Sequence, residues 1–175
     1  MIDASRVTAA IQEAAQDVLR TMLHIDRTTC RYSEGSTPSH GGVVSLVGLT
    51  GHWSGTGTLF CSPTVAGVLA ARMLLHEESP TSVDEEVLDA VAELTNMIVG
   101  NIKNLLASEI GEMAISIPTV IYGRNFRYRH AAGTVQSAIV VQWEEHSIEV
   151  KVCLAPTEHN SILRQRLTAP AFCAI

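Results

Sequence analysis

Aromatic residues make up only 5% of this 175-residue chain, and charged residues 17%. With so few rings, its core must be filled by Ala, Val, Leu and Ile. There is no run of Lys or Arg, and the net charge is -6. That excludes the counterion-displacing patch of a nucleic-acid binder and gives no purchase on an anionic membrane surface. No apolar run reaches the roughly 18 residues of a membrane span. The opening MIDASRVTAA is polar and lacks the apolar stretch of a signal peptide, so a cytoplasmic location is expected. Cys30, Cys61, Cys153 and Cys173 form no CxxC pair. A zinc site wants close ligand pairs, so these are expected to be buried free thiols in a reducing compartment. The seven histidines are scattered, with no pair at metal-site spacing on a helix. The glycine-rich Gly51–Gly57 stretch, GHWSGTG, is not followed by GK[ST], so it is no phosphate loop. No GxSxG elbow is present, which leaves serine hydrolase chemistry without support.

What is present is 46% hydrophobic residues, enough for one substantial core, and a single domain over residues 1–175 is expected. From Ile2 to about His24, Val7, Ala10, Ile11, Ala14, Val18 and Met22 recur at helical spacing, with Asp3 or Ser5 as cap. Residues 34–42, EGSTPSHGG, are turn chemistry. Val43–Leu49 and Trp53–Cys61 read as an antiparallel strand pair. Ser62 caps a second helix with Pro63 in its first turn. A long helix then starts at Ser82 or Asp84, where Glu85 three residues after Ser82 fits a capping box, and runs to about Ser108. Met113–Ile121, Gln136–Trp143 and Ile148–Leu154 read as strands, with Pro118 inside the first. Ile162, Leu163 and Leu167 suggest a short helix in the tail. Strands and helices do not alternate one by one, which predicts an α+β fold with an antiparallel sheet packed against long helices.

The long helix has two unequal faces. Val87, Val91, Leu94, Ile98, Ile102 and Leu105 mark an apolar stripe. Asp89, Glu93, Asn96, Gly100 and Lys103 follow at spacings of three and four, which places them on one continuous opposite face. Asp, Glu and Lys need no explanation on a solvated face. Asn and Gly are poor helix formers, and Gly costs about 1 kcal/mol relative to Ala. A glycine one turn beyond an asparagine lowers the surface, so that another molecule can come close.

Asp89-x-x-x-Glu93-x-x-Asn96, followed about twenty residues later by Pro118, resembles the signature of the CheC/CheX phosphatases of bacterial chemotaxis. The continuation through Gly100, Asn101 and Lys103 is similar too, as are the Val44-Ser45-Leu46-Val47-Gly48 strand and the Ser-Pro opening of the second helix. The likeness covers residues 2–154. CheC-like members often carry two motif copies. Here the first helix reads Glu13-Ala14-Ala15-Gln16, with Gln in place of Asn, so a single site and a CheX-like homodimer are expected.

The resemblance implies a CheC/CheX-like fold and hydrolysis of the aspartyl phosphate of a phosphorylated CheY-type receiver domain. It implies that Asn96 positions the attacking water and Glu93 docks on the regulator's lysine, with Gly100 and Asp89 as partner contacts. It implies no cofactor of its own, Mg²⁺ being carried by the partner. The small basic cluster Arg124, Arg127, Arg129 and His130 is either a solvated loop or a contact for an acidic regulator. The alternative left open is a non-catalytic module that docks a signalling or flagellar partner.

Overall fold

A computed structural model describes residues 2–33, 41–124 and 135–157. The expected tail helix, most of the basic cluster, Cys173 and residues 34–40 of the turn segment lie outside that range.

Helix α1 (Ala4–Leu23) starts at Asp3, whose carboxylate accepts from the Arg6 backbone N–H. Strands β1 (Thr29–Tyr32), β2 (Gly42–Gly51) and β3 (Trp53–Cys61) follow, then α2 (Pro63–Leu74) and α3 (Glu85–Ile110). Strands β4 (Met113–Ile115), β5 (Thr119–Gly123), β6 (Val135–Trp143) and β7 (His146–Pro156) complete the described chain. Every strand pairing is antiparallel, in the order β1-β6-β7-β3-β2-β4, with β5 also on β2. This is the α+β arrangement expected. No helix of the described residues is long and apolar enough to cross a membrane.

Alternation along the strands explains where the helices sit. Val43, Val47 and Leu49 of β2, Leu59 and Cys61 of β3, Ile139 and Val141 of β6, and Ile148, Val150, Val152 and Leu154 of β7 all enter one cluster with the helices. Within it, α1 lies over β6 and β7, and α3 over β2 and β3. Arg6 ties α1 to α3, donating to Glu109 and to the Leu105 carbonyl.

Three local features differ from expectation, and a fourth settles the open choice of cap for α3. β1 carries no apolar alternation, so its sequence gives no strand signal; only pairing with β6 makes it one. The α3 cap is Asp84, which accepts from Val87 N–H at 3.0 Å, rather than a Ser82 capping box. Asp84 leaves Glu85 and Glu86 in the first turn, where they face the positive end of the helix dipole. The β6–β7 connection is a tight turn at Glu144–Glu145, with Glu144 at φ 49, so His146 is already in β7. Finally, the Met113–Ile121 segment is two strands. Leu49 pairs with Ile115 and Leu46 with Thr119, so Ser116, Ile117 and Pro118 stand opposite only Val47 and Gly48. That is a β-bulge, placed where proline has no N–H to give the ladder.

Candidate functional site

Helix α3 is pressed onto the sheet along Val87, Val91, Leu94, Ile98 and Ile102, as the stripe implied, and Ala90, Thr95 and Val99 are buried as well. The depth of that seat depends on Gly57 in β3. A Cβ there would lie within van der Waals overlap of Val99 Cγ1, at 2.9 Å, and closer still to Cγ2. Thr95 returns its hydroxyl to the Val91 carbonyl at 2.7 Å, so the polar atom on the buried side is satisfied.

Asp89, Glu93, Asn96 and Gly100 stand together on the opposite face. Asp89 and Glu93 are exposed; Asn96 and Gly100 are half-buried. Neither the Glu93 nor the Asn96 side chain makes a hydrogen bond or ion pair among the described residues. A Cβ added at Gly100 would meet only Ile115 Cδ1, at 3.9 Å, which is ordinary contact. Nothing within the described fold therefore requires glycine there, in contrast to Gly57.

The corresponding stretch of α1 is different. Gln16 donates to Thr28 Oγ1 at 3.0 Å, so its amide is engaged inside the molecule. Glu13 and Gln16 line a cleft of about 870 Å³ together with Asp17, Arg20, Asn101 and Asn104.

Pro118 sits in the bulge beside α3, and the residues before it were not picked out from the sequence. Ser116 N–H donates to the Gly48 carbonyl at 2.9 Å, while Gly48 N–H donates to Ser116 Oγ at 2.9 Å. The available signal was a proline inside a strand pattern, which marks irregular pairing but not its geometry.

Among the described residues, no thiol is part of a site. Cys61 and Cys153 are buried, and Cys30 is half-buried. Burial pushes the Cys61 thiol up to about 12 and that of Cys153 up to about 11. Such groups stay protonated and unreactive at neutral pH. Among the described residues, Glu144, Glu145 and His146 bring ligand atoms within 4.8 Å of one another, but the two glutamates form an exposed turn whose Glu144 pairs with Arg72 at 3.7 Å, and His146 is the half-buried first residue of β7.

Solved structures with this arrangement define the class. A CheC-like superfamily protein from Shewanella sp. PV-4 superposes with a TM-score of 0.72 at 25% identity, covering 86% of this chain and 97% of its own. The CheX of a CheX–CheY–BeF3–Mg²⁺ complex from Borrelia burgdorferi does so with a TM-score of 0.71 at 26% identity, covering 83% and 96%. The fold is thus that of the CheC-like α+β proteins. The family model for the chemotaxis phosphatase CheX matches residues 43–142, and the chain belongs to that family. The CheY-P phosphatase CheX of Thermotoga maritima is 29% identical over 146 residues, covering 81% of this chain and 91% of that protein.

Proposed function

We propose that the protein hydrolyses the aspartyl phosphate of a CheY-type response regulator, with Asn96 positioning the attacking water and Glu93 docking on the regulator's lysine. The observation that carries this reading is the free Glu93/Asn96 pair on the solvent face of a rigidly seated helix. Each side chain is presented outward with its hydrogen-bonding capacity unspent among the described residues.

The chemistry suits an amide. An acyl phosphate needs an in-line water and neutralisation of its phosphoryl oxygens. Asn96 offers one acceptor and two donors without adding negative charge beside the phosphoryl group. Its Oδ1 can accept from the water while the water oxygen attacks phosphorus. The bond from phosphorus to the acyl oxygen breaks, the carboxylate leaves, and the water's protons end on inorganic phosphate. Fixing that geometry supplies rate through pre-organisation. Mg²⁺ belongs to the regulator in this reading, which the CheX–CheY–BeF3–Mg²⁺ complex of the Borrelia burgdorferi relative supports. Glu93, one turn away, pairs with a lysine and so holds the helix over the phosphorylated site. Gly100 leaves clearance, and Asp89 extends the contact. A homodimer, expected from the resemblance, and a cytoplasmic location, expected from the polar N-terminal stretch, complete the proposal, with residues 1–175 acting as one unit.

The test follows release of phosphate from a receiver domain charged with a small acyl phosphate. Asn96→Ala should lower kcat about 100-fold or more while binding is kept. Glu93→Ala should act mainly on KM, since it removes a charge-assisted contact. No acceleration by the wild type with any receiver of the same organism sinks the enzymatic reading. Two variants that match an active wild type sink the site assignment instead.

A further inference from the structure

The face of α3 that carries Asn96 does not stop at the helix. Because Gly100 has no side chain, its surface runs directly onto Ile115 and the sheet edge formed by β4 and β5. Val99 packs over Gly57, which pairs with Val47, while Gly100 meets Ile115, which pairs with Leu49. Asn96 lies one helical turn back, about 6 Å along the axis, or about two strand residues. That sets it alongside the corner where β4 gives way to β5. The bulge is at this corner, and Ile117 in its middle is 87% exposed. Further along the edge, Tyr122 is 52% exposed. It pairs with Val43, a core residue, so it stands on the helix side of the sheet.

A lone exposed isoleucine is commonplace. Ile117 differs in how it is held. The two bonds between Ser116 and Gly48 pin the preceding residue, Ser116 Oγ donates to the Ile117 carbonyl at 2.8 Å, and Pro118 follows. A Cβ on Gly48 would lie 3.3 Å from Ser116 Oγ, so this clamp leaves little room for a larger residue. A β-branched side chain on a fixed backbone has little freedom left to lose when a partner covers it. Bulges recur beside active sites because they re-aim a side chain, and this one keeps an apolar residue in water at the β4–β5 corner.

We propose that Ile117, with Tyr122 further along the same edge, is an apolar docking ledge for the phosphorylated receiver domain. The proposal rests on the reading of Glu93 and Asn96 given above. Its occupant follows from continuity: a domain seated over Asn96 also covers the corner beside it. The receiver must then present an apolar patch next to its phosphorylated aspartate. Ile117 makes no part of the chemistry; it sets affinity and the choice among receivers.

The experiment measures binding and turnover separately. Binding uses a receiver domain from the same organism held in its active form with BeF3 and Mg²⁺; turnover uses the phosphorylated receiver. Ile117→Ser should weaken binding and raise KM by roughly 10- to 100-fold, the equivalent of one buried aliphatic side chain. Its kcat at saturation and its urea midpoint should stay at wild-type values. Leu75→Asn, which removes another highly exposed aliphatic side chain among the described residues, at the left-handed C-cap of α2, should leave receiver binding, KM and kcat unchanged. If Ile117→Ser binds and turns over like the wild type while Asn96→Ala is inactive, the ledge is refuted and the catalytic reading stands. If the wild type binds without hydrolysing, and Ile117→Ser loses that binding, the ledge stands and the catalytic reading falls. A wild-type dimer that dissociates in Ile117→Ser with receiver binding unchanged assigns the edge to a second copy and overturns the proposal. Failure of the wild type to bind any receiver overturns it as well.

Discussion

Replacing Gly57 by Ala puts a methyl group where Val99 already is. The added Cβ would stand 2.9 Å from Val99 Cγ1 and nearer to Cγ2, against about 3.5–4.0 Å for unstrained carbon contact. Val99 is 1% exposed, and as a β-branched residue in a helix it has essentially one side-chain rotamer. It cannot swing aside, so α3 must lift from the sheet by about 1 Å or β3 must bow. Overpacking of this kind costs about 1–3 kcal/mol. Stiffening of the unfolded chain returns about 0.4–1 kcal/mol, which leaves a net loss of about 1–2 kcal/mol. Val99→Ala alone removes two buried methyl groups at about 0.8 kcal/mol each, before any cavity term. In the double variant the new methyl occupies part of the space just vacated. Its loss should therefore be about 1–2 kcal/mol smaller than the sum of the two singles. Urea unfolding of the four proteins measures this coupling. Activity should follow the same logic, because lifting α3 carries Asn96 with it, and about 1 Å of misplacement can cost 100-fold. The double variant should recover much of the phosphatase activity that Gly57→Ala loses. Additive stability changes, or a Gly57→Ala protein as stable as the wild type, would refute the claim that this glycine sets the seat of α3.

Two further outcomes test the interior. Burial pushes the Cys61 thiol from 9.0 up to about 12, so the folded chain keeps a proton that the unfolded chain releases. Its contribution is fully present below pH 9 and falls as pH rises, by about 1.4 kcal/mol at pH 10. The difference in unfolding free energy between wild type and Cys61→Ala should shrink by that amount between about pH 8 and pH 10, and a constant difference would contradict it. Ser45 is buried on the helix side of β2, and its Oγ has no hydrogen-bond partner. Ser45→Ala should raise stability by about 1 kcal/mol; a lower urea midpoint would show that the hydroxyl is in fact satisfied.

The long helices and most strands were legible because their signals are local. Val87, Val91, Leu94, Ile98 and Ile102 repeat at a period that only a helix places on one side, and Ser62-Pro63 announces a helix start by capping chemistry alone. The candidate face was legible for the same reason, since Asp89, Glu93, Asn96 and Gly100 are aligned by helix geometry whatever surrounds them. β1 was not legible, because TCRY becomes a strand only by pairing with β6. The choice of Asp84 over Ser82 as cap was not either, since both can accept an N–H and the outcome depends on where the chain enters the core.

The chain's own order of residues thus determined an α+β fold, an apolar stripe on α3 and a polar face carrying Glu93 and Asn96. Each follows from periodicity, propensity and caps within a few turns of backbone. Only the tertiary structure decided that Gly57 seats α3 and that Gly100 is unconstrained from within the described fold. It alone divided Met113–Ile121 at a bulge and left Ile117 exposed at the corner where β4 gives way to β5. Those relations join residues far apart in sequence, and strand register and close packing set them, which no local pattern encodes.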